Sequence, residues 1–187
     1  MDKATTAEME AAIIGWLERV VIGLGLCPFA SRVVDDKRLR IRISTATSQE
    51  QALTDLQEEL VLLAAADTRE LETTLLALPD LAGDFDAFNQ MLALVDLLLD
   101  ETGWQGRFQV ASFHPGYRFA DTQPDAPGNL TNRSPVPLLH ILREASVTAA
   151  IESIDDPAAI PAHNIRVMES LDAAQLDELF PWLSRSR

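Results

Sequence analysis

Three short strand-like runs, separated by two long stretches of helical period, constrain this 187-residue chain more than any other feature. Arg38–Ser44 alternates strictly, with Leu39, Ile41 and Ile43 on one side and Arg38, Arg40 and Arg42 on the other. That is a half-buried strand whose charges suit a sheet edge. Thr73–Leu78 is a short apolar run closed by Pro79, as in a buried strand. Arg107–Phe113 sets Phe108, Val110 and Ser112 on one face and Gln109, Ala111 and Phe113 on the other. Between these runs, Ser48–Asp67 and Asp84–Thr102 repeat their apolar residues at helical spacing, with Ser48 and Asp84 as N-caps and Gly103 as the stop. The alternation implies a single-domain α/β layered fold over 1–187. Its sheet is small, about three-stranded, and covered by helices, and its C-terminal part is helical. Helices of this length permit right-handed crossovers and a parallel sheet, while an antiparallel or mixed sheet stays open.

The flanking segments follow the same logic. Thr6–Leu24 reads as an amphipathic helix with Met9, Ile13, Trp16, Leu17, Val20 and Val21 on one stripe, ended by Gly23 and Gly25. Cys27 and Pro28 then open a short second helix, with Pro28 in its first turn. His114 to Ser134 is rich in turn residues, including Pro115, Gly116, Pro124, Pro127 and Gly128. A loop that long in a compact domain points to function. Ser134 and Pro135 are expected to open a helix running to about Glu152, with shorter helices near 157–159, 160–170 and 172–183.

The formal net charge is −14. Such a surface repels phosphate backbones and anionic lipids, which argues against nucleic-acid or membrane partners. The apolar runs are too short and too interrupted by acids to span a bilayer. The N-terminus lacks the basic and apolar regions of a secretory signal, and the single cysteine, Cys27, suits a reducing compartment. A soluble, cytoplasmic protein is therefore expected. Its charge is uneven, however. Between Thr102 and Arg143 lie Arg107, Arg118, Arg133 and Arg143 against only Asp121 and Asp125. Between Ile14 and Ser48, Arg19, Arg32, Lys37, Arg38, Arg40 and Arg42 face Glu18, Asp35 and Asp36. Basic islands in an acidic chain fit a local anion pocket, or arginines paired with surface acids.

The densest polar set follows the third strand: His114, Tyr117, Arg118, Asp121, Asn129, Thr131, Asn132, Arg133 and Ser134. Ligands of open α/β sheets bind beyond the carboxyl ends of strands. A helix opening at Pro135 would add free N–H groups and a positive dipole end that favour an anion. Arg118 and Arg133 would clamp that anion, with Tyr117, Asn129, Thr131, Asn132 and Ser134 lining the site. The alternative is a loop stitched together by its own hydrogen bonds. On the expected helix, His140, Arg143 and Glu144 would share a face at i, i+3 and i+4.

Cys27 is open to three readings. At a helix N-terminus its thiolate would be favoured, and with His114 or His140 nearby it would form a nucleophile–base pair. With both histidines it would make a zinc or other transition-metal site, although no C-x-x-C or H-x-x-x-H spacing supports one and no cofactor is expected. Packed beside Phe29, it would be inert.

Gly25-Leu26-Cys27-Pro28-Phe29-Ala30, Phe113-His114-Pro115-Gly116-Tyr117, and Asn129 through Pro135 with Leu138 through Glu144 together resemble a bacterial family, the domain of unknown function 1415. The likeness runs from about Trp16 to about Asn164. It implies a compact single domain and transfers no catalytic residue. Members often carry Ser-Pro-Tyr-Pro where this chain has Ser134-Pro135-Val136-Pro137.

The leading expectation is an enzyme acting on a small anionic substrate, phosphate- or carboxylate-bearing. Its anion clamps are Arg118 and Arg133, its acid or base is His114, and His140 and Cys27 are further catalytic candidates. The rival expectations are a non-catalytic module that holds an anionic metabolite, and a transition-metal protein using Cys and His.

Overall fold

The computed structural model describes residues 5–81 and 83–184. Helix α1 (Thr6–Trp16) begins with a capping box between Thr5 and Glu8 and runs directly into a π-helical stretch, Leu17–Ile22. The wide turn ends at Gly23, where an added Cβ would lie 2.4 Å from the Arg19 carbonyl oxygen. Gly25 then takes a left-handed φ of 66° that L side chains resist. This turn delivers Cys27 to the short helix α2 (Ala30–Asp35). Strand β1 (Leu39–Ile43), helix α3 (Gln49–Ala65), strand β2 (Thr73–Ala77), helix α4 (Phe85–Glu101) and strand β3 (Phe108–Phe113) follow in the expected order. Ser48 caps α3 by accepting from Gln51 N–H, and Asp84 caps α4 by accepting from Asp86 N–H.

After β3 the chain departs from expectation. The helix expected from Ser134 to about Glu152 is two elements. Residues Leu138–Arg143 form strand β4, and only Glu144–Glu152 are helical, as α5. Strand β4 lies between β2 and β3, pairing antiparallel with both, while β1 pairs parallel with β2. The sheet is thus mixed and four-stranded, in the order β1-β2-β4-β3. An interior strand is covered on both faces, so Leu138, Leu139, Ile141 and Leu142 carry no polar alternation to mark it. Pairing on both sides then outweighs helical propensity. A 3₁₀ segment, Pro127–Asn132, precedes β4, and α6 (Ile160–Glu169), α7 (Ala173–Leu179) and α8 (Pro181–Ser184) complete the chain.

The sheet separates two cores. On one face, Leu56, Leu60 and Leu63 of α3 and Phe88, Met91 and Val95 of α4 meet Leu76, Phe108, Leu139 and Ile141. On the other, Ile13, Trp16, Val20, Met168 and Phe180 meet Leu75, Ala77 and Leu138. Helices α2 and α5 also approach the second face, yet neither contains a fully buried residue. Among the described residues no helix is long and apolar enough to cross a membrane.

Candidate functional site

Where α2 and α5 stand over the second face of the sheet they leave a cavity of ≈ 300 Å³. Its floor is the alternating set that points to that face: Thr73 and Leu75 from β2, His140 and Leu142 from β4, Gln109, Ala111 and Phe113 from β3. Trp16, Leu17, Val21 and Cys27, Val33 and Val34 of α2, and Val147 and Ala150 of α5 also line it, with Glu72, Arg143 and Ser146 as further polar members. Carbon dominates this lining, as in pockets that enclose small ligands.

His140 is the polar centre of the floor. Its Nε2 lies 2.8 Å from Thr73 Oγ1, and that same oxygen lies 2.5 Å from the Ile141 carbonyl oxygen. A carbonyl only accepts, so the single hydroxyl proton of Thr73 goes to Ile141. Thr73 Oγ1 must then accept, and Nε2 of His140 carries the ring proton. Nδ1 is left with a bare lone pair and makes no hydrogen bond among the described residues. Burial pushes the imidazolium pKa down to about 4, so the ring is neutral at ordinary pH. Phe113 packs beside it at 6.4 Å between ring centroids, and Trp16 meets Phe113 edge-on at 5.2 Å.

Cys27 and His140 therefore border one cavity, although no hydrogen bond joins them. Cys27 is partly exposed, and it does not cap α2, whose N-cap is Phe29. Pro28 precedes that helix instead of entering its first turn. The dipole argument for a thiolate does not apply to a helix that begins three residues further on.

His114 lies on the other side of the sheet. It is 3% exposed, packs against Phe85 and Phe88 at 5.5 and 5.2 Å, and accepts the Gly116 N–H at Nδ1. Strand alternation explains this: Phe113 points to the cavity face, so the next residue points away. Cys27, His114 and His140 do not converge. Among the described residues no group of three or more His, Cys, Asp or Glu side chains is placed to hold a metal ion.

The loop residues are held by one another. Asn129, fully buried, accepts from Phe119 N–H and the Thr122 hydroxyl and donates to the Gln123 carbonyl. Thr131 donates to the Gly128 carbonyl, Asn132 to that of Ser112 and Ser134 to that of Val136. Arg133 donates to the carbonyls of Tyr117 and Pro124, and burial lowers its pKa from the ordinary arginine value. Tyr117 meets Phe85 at a tilt and Phe119 edge-on, and burial raises its phenol pKa. Arg118 faces Asp86 at 3.6 Å. A hollow of ≈ 670 Å³ borders His114 and Arg133, but no helix begins at Pro135 to supply an anion-binding dipole.

Arg143 and Glu144 do not share a helix face with His140. On β4, His140 and Arg143 are on opposite sides. Arg143 reaches the end of α3 and the turn before β2, where Nη2 donates to the carbonyls of Leu63 and Ala66 and to that of Leu71, and the guanidinium lies over Phe108. The basic residues of β1 are likewise committed, Arg40 to the buried Glu59 and Arg42 to Asp55, Glu58 and Glu59.

Thr73 and Gln109 of this site carry no motif. The one available signal was their alternation with Thr74 and Phe108, which places them on the cavity side of their strands.

Fold and site define an α/β protein with a ligand-sized cavity on one face of an open, mixed four-stranded sheet. The chain belongs to the family described as Protein of unknown function (DUF1415), whose model matches residues 8–178 and so takes in every residue that borders the cavity. No curated protein and no solved structure matches it.

Proposed function

We propose that this protein binds a small, largely apolar molecule in the cavity over its sheet, with His140 as the polar contact on the floor. The observation that carries this is the pairing of a ≈ 300 Å³ carbon-lined space with a histidine whose Nδ1 makes no hydrogen bond among the described residues. The expected anionic substrate draws less support, because Arg133 donates to two carbonyls, Nη2 of Arg143 donates to three, and Arg118 faces Asp86. A screen of small aromatic and aliphatic compounds by amide and methyl NMR tests the proposal. Compounds that bind should shift Ala111, His140 and Val147 together. Binding confined to the hollow beside His114, or none at all, overturns it.

A second reading, catalysis, is favoured by one observation: Cys27 and His140 border the same space. A thiol nucleophile served by a histidine base would turn over activated esters, and Cys27→Ser would abolish that turnover. Equal turnover in the variant rejects it.

A further inference from the structure

We propose that the molecule this cavity accepts carries a hydroxyl group, alcohol or phenol, which donates its hydrogen bond to Nδ1 of His140. The inference rests on the binding function proposed above and deepens it. Thr73 sets the protonation of the ring. Its hydroxyl has one proton, and the Ile141 carbonyl at 2.5 Å takes it. The ring nitrogen at 2.8 Å therefore donates, which fixes the tautomer and leaves Nδ1 as an acceptor. A ligand group opposite Nδ1 must bring a proton.

The surroundings narrow the choice. A carboxylate or a fully ionised phosphate has no proton to give and would meet the bare lone pair. Ala111, Phe113, Leu142 and Val147 line the same space, and the cation that borders it, Arg143, donates through Nη2 to three main-chain carbonyls. An ammonium could donate, but desolvating it against carbon is costly without a paired carboxylate. Glu72, the acid on the lining, is bonded to Arg38 at 3.2 Å. A neutral hydroxyl on a hydrocarbon frame satisfies both the acceptor and the walls. A cavity of ≈ 300 Å³ admits a phenol or a medium-chain alcohol and is too small for a folded peptide segment.

The test compares matched probes on the full chain by NMR titration: phenol against toluene, and cyclohexanol against methylcyclohexane, with benzoate as the anionic control. Phenol and cyclohexanol should bind roughly 5- to 10-fold more tightly than their methyl counterparts, the ratio a net hydrogen bond supplies. His140→Leu should erase that preference while toluene still binds, and His140→Gln gives a second variant should the leucine form fold poorly. Thr73→Val should reduce the preference by freeing the tautomer, and Thr73→Ser should restore it. Equal affinity for phenol and toluene overturns the hydroxyl contact and leaves the binding function standing. Tighter binding of benzoate overturns it in favour of an anion. Failure of every probe to enter the cavity overturns the binding function itself, and the hydroxyl contact with it.

Discussion

Thr73 Oγ1 bridges Nε2 of His140 at 2.8 Å and the Ile141 carbonyl oxygen at 2.5 Å, so one hydroxyl on β2 sets the protonation pattern of a ring on β4. The antiparallel register makes this possible. Leu75 lies opposite His140, and Thr73 is two residues back on the same face. The arrangement has measurable consequences for stability as well as for binding.

The first concerns acid. The unfolded ring takes up a proton near its ordinary value of 6.5, and the folded ring near 4. Between those limits the unfolded state binds more protons, so stability falls as pH drops from 6.5 toward 4. The linked loss from pH 7 to pH 5 is about 2 kcal/mol. Urea unfolding at both pH values should show the wild type losing about that much more than His140→Gln. Equal losses would mean that the ring titrates normally.

Arg143 is expected to be structural. Its Nη2 donates to the carbonyls of Leu63 and Ala66, at the C-terminal end of a helix that carries no basic residue in its own last turn, and to that of Leu71 before β2. Arg143→Met should cost about 2–4 kcal/mol by removing the guanidinium donor from these carbonyls, of which Leu63 keeps the Ala66 N–H. Arg143→Lys should cost less. Denaturant melts of the two variants decide this, and a neutral methionine variant would show the contacts to be idle.

Asn129 should act as the knot of the 114–134 loop. Its amide satisfies Phe119, Thr122 and Gln123 from a fully buried position. Asn129→Ala should cost about 2–3 kcal/mol and expose the loop to limited proteolysis. Unchanged cleavage would place the loop's order elsewhere.

Glu59 is a buried carboxylate bonded to Arg40 at 2.8 and 3.2 Å and to Arg42 at 3.1 Å. Glu59→Gln should destabilise by about 1–2 kcal/mol. The cost is moderated because Arg40 is partly exposed and Arg42 keeps Asp55 and Glu58. Unfolding of the pair at low and high salt measures it, and a gap that salt leaves unchanged would remove the ionic share of the effect.

Much of the fold was legible because its signals are local. Ser48 and Asp84 announce α3 and α4, and Leu39, Ile41 and Ile43 alternate with arginines that mark β1 as an edge. Strand β4 was not legible. Both of its faces are packed, Leu139 and Ile141 in one core and Leu138 in the other, so its apolar run lacks the alternation of a half-buried strand, and Ser134-Pro135 imitates a helix start.

That single misassignment displaced the site. Cys27 and His140 were recognisable as reactive side chains and do border one cavity. The arginines looked available because a sequence displays charges and hides the carbonyls they bond to. Arg143 finds its acceptors about 80 residues away, at Leu63, Ala66 and Leu71. With residues 138–143 read as helix, the face of His140 is hidden, whereas on β4 it lies on the side of Phe113 and away from His114.

The account turns on which nitrogen of His140 holds the proton, and long-range ¹H–¹⁵N correlation spectra of the imidazole at pH 7 read it directly. A protonated Nε2 with a bare Nδ1, the latter shifting when phenol is added, is the expected result. A proton on Nδ1, or a doubly protonated ring, would contradict it.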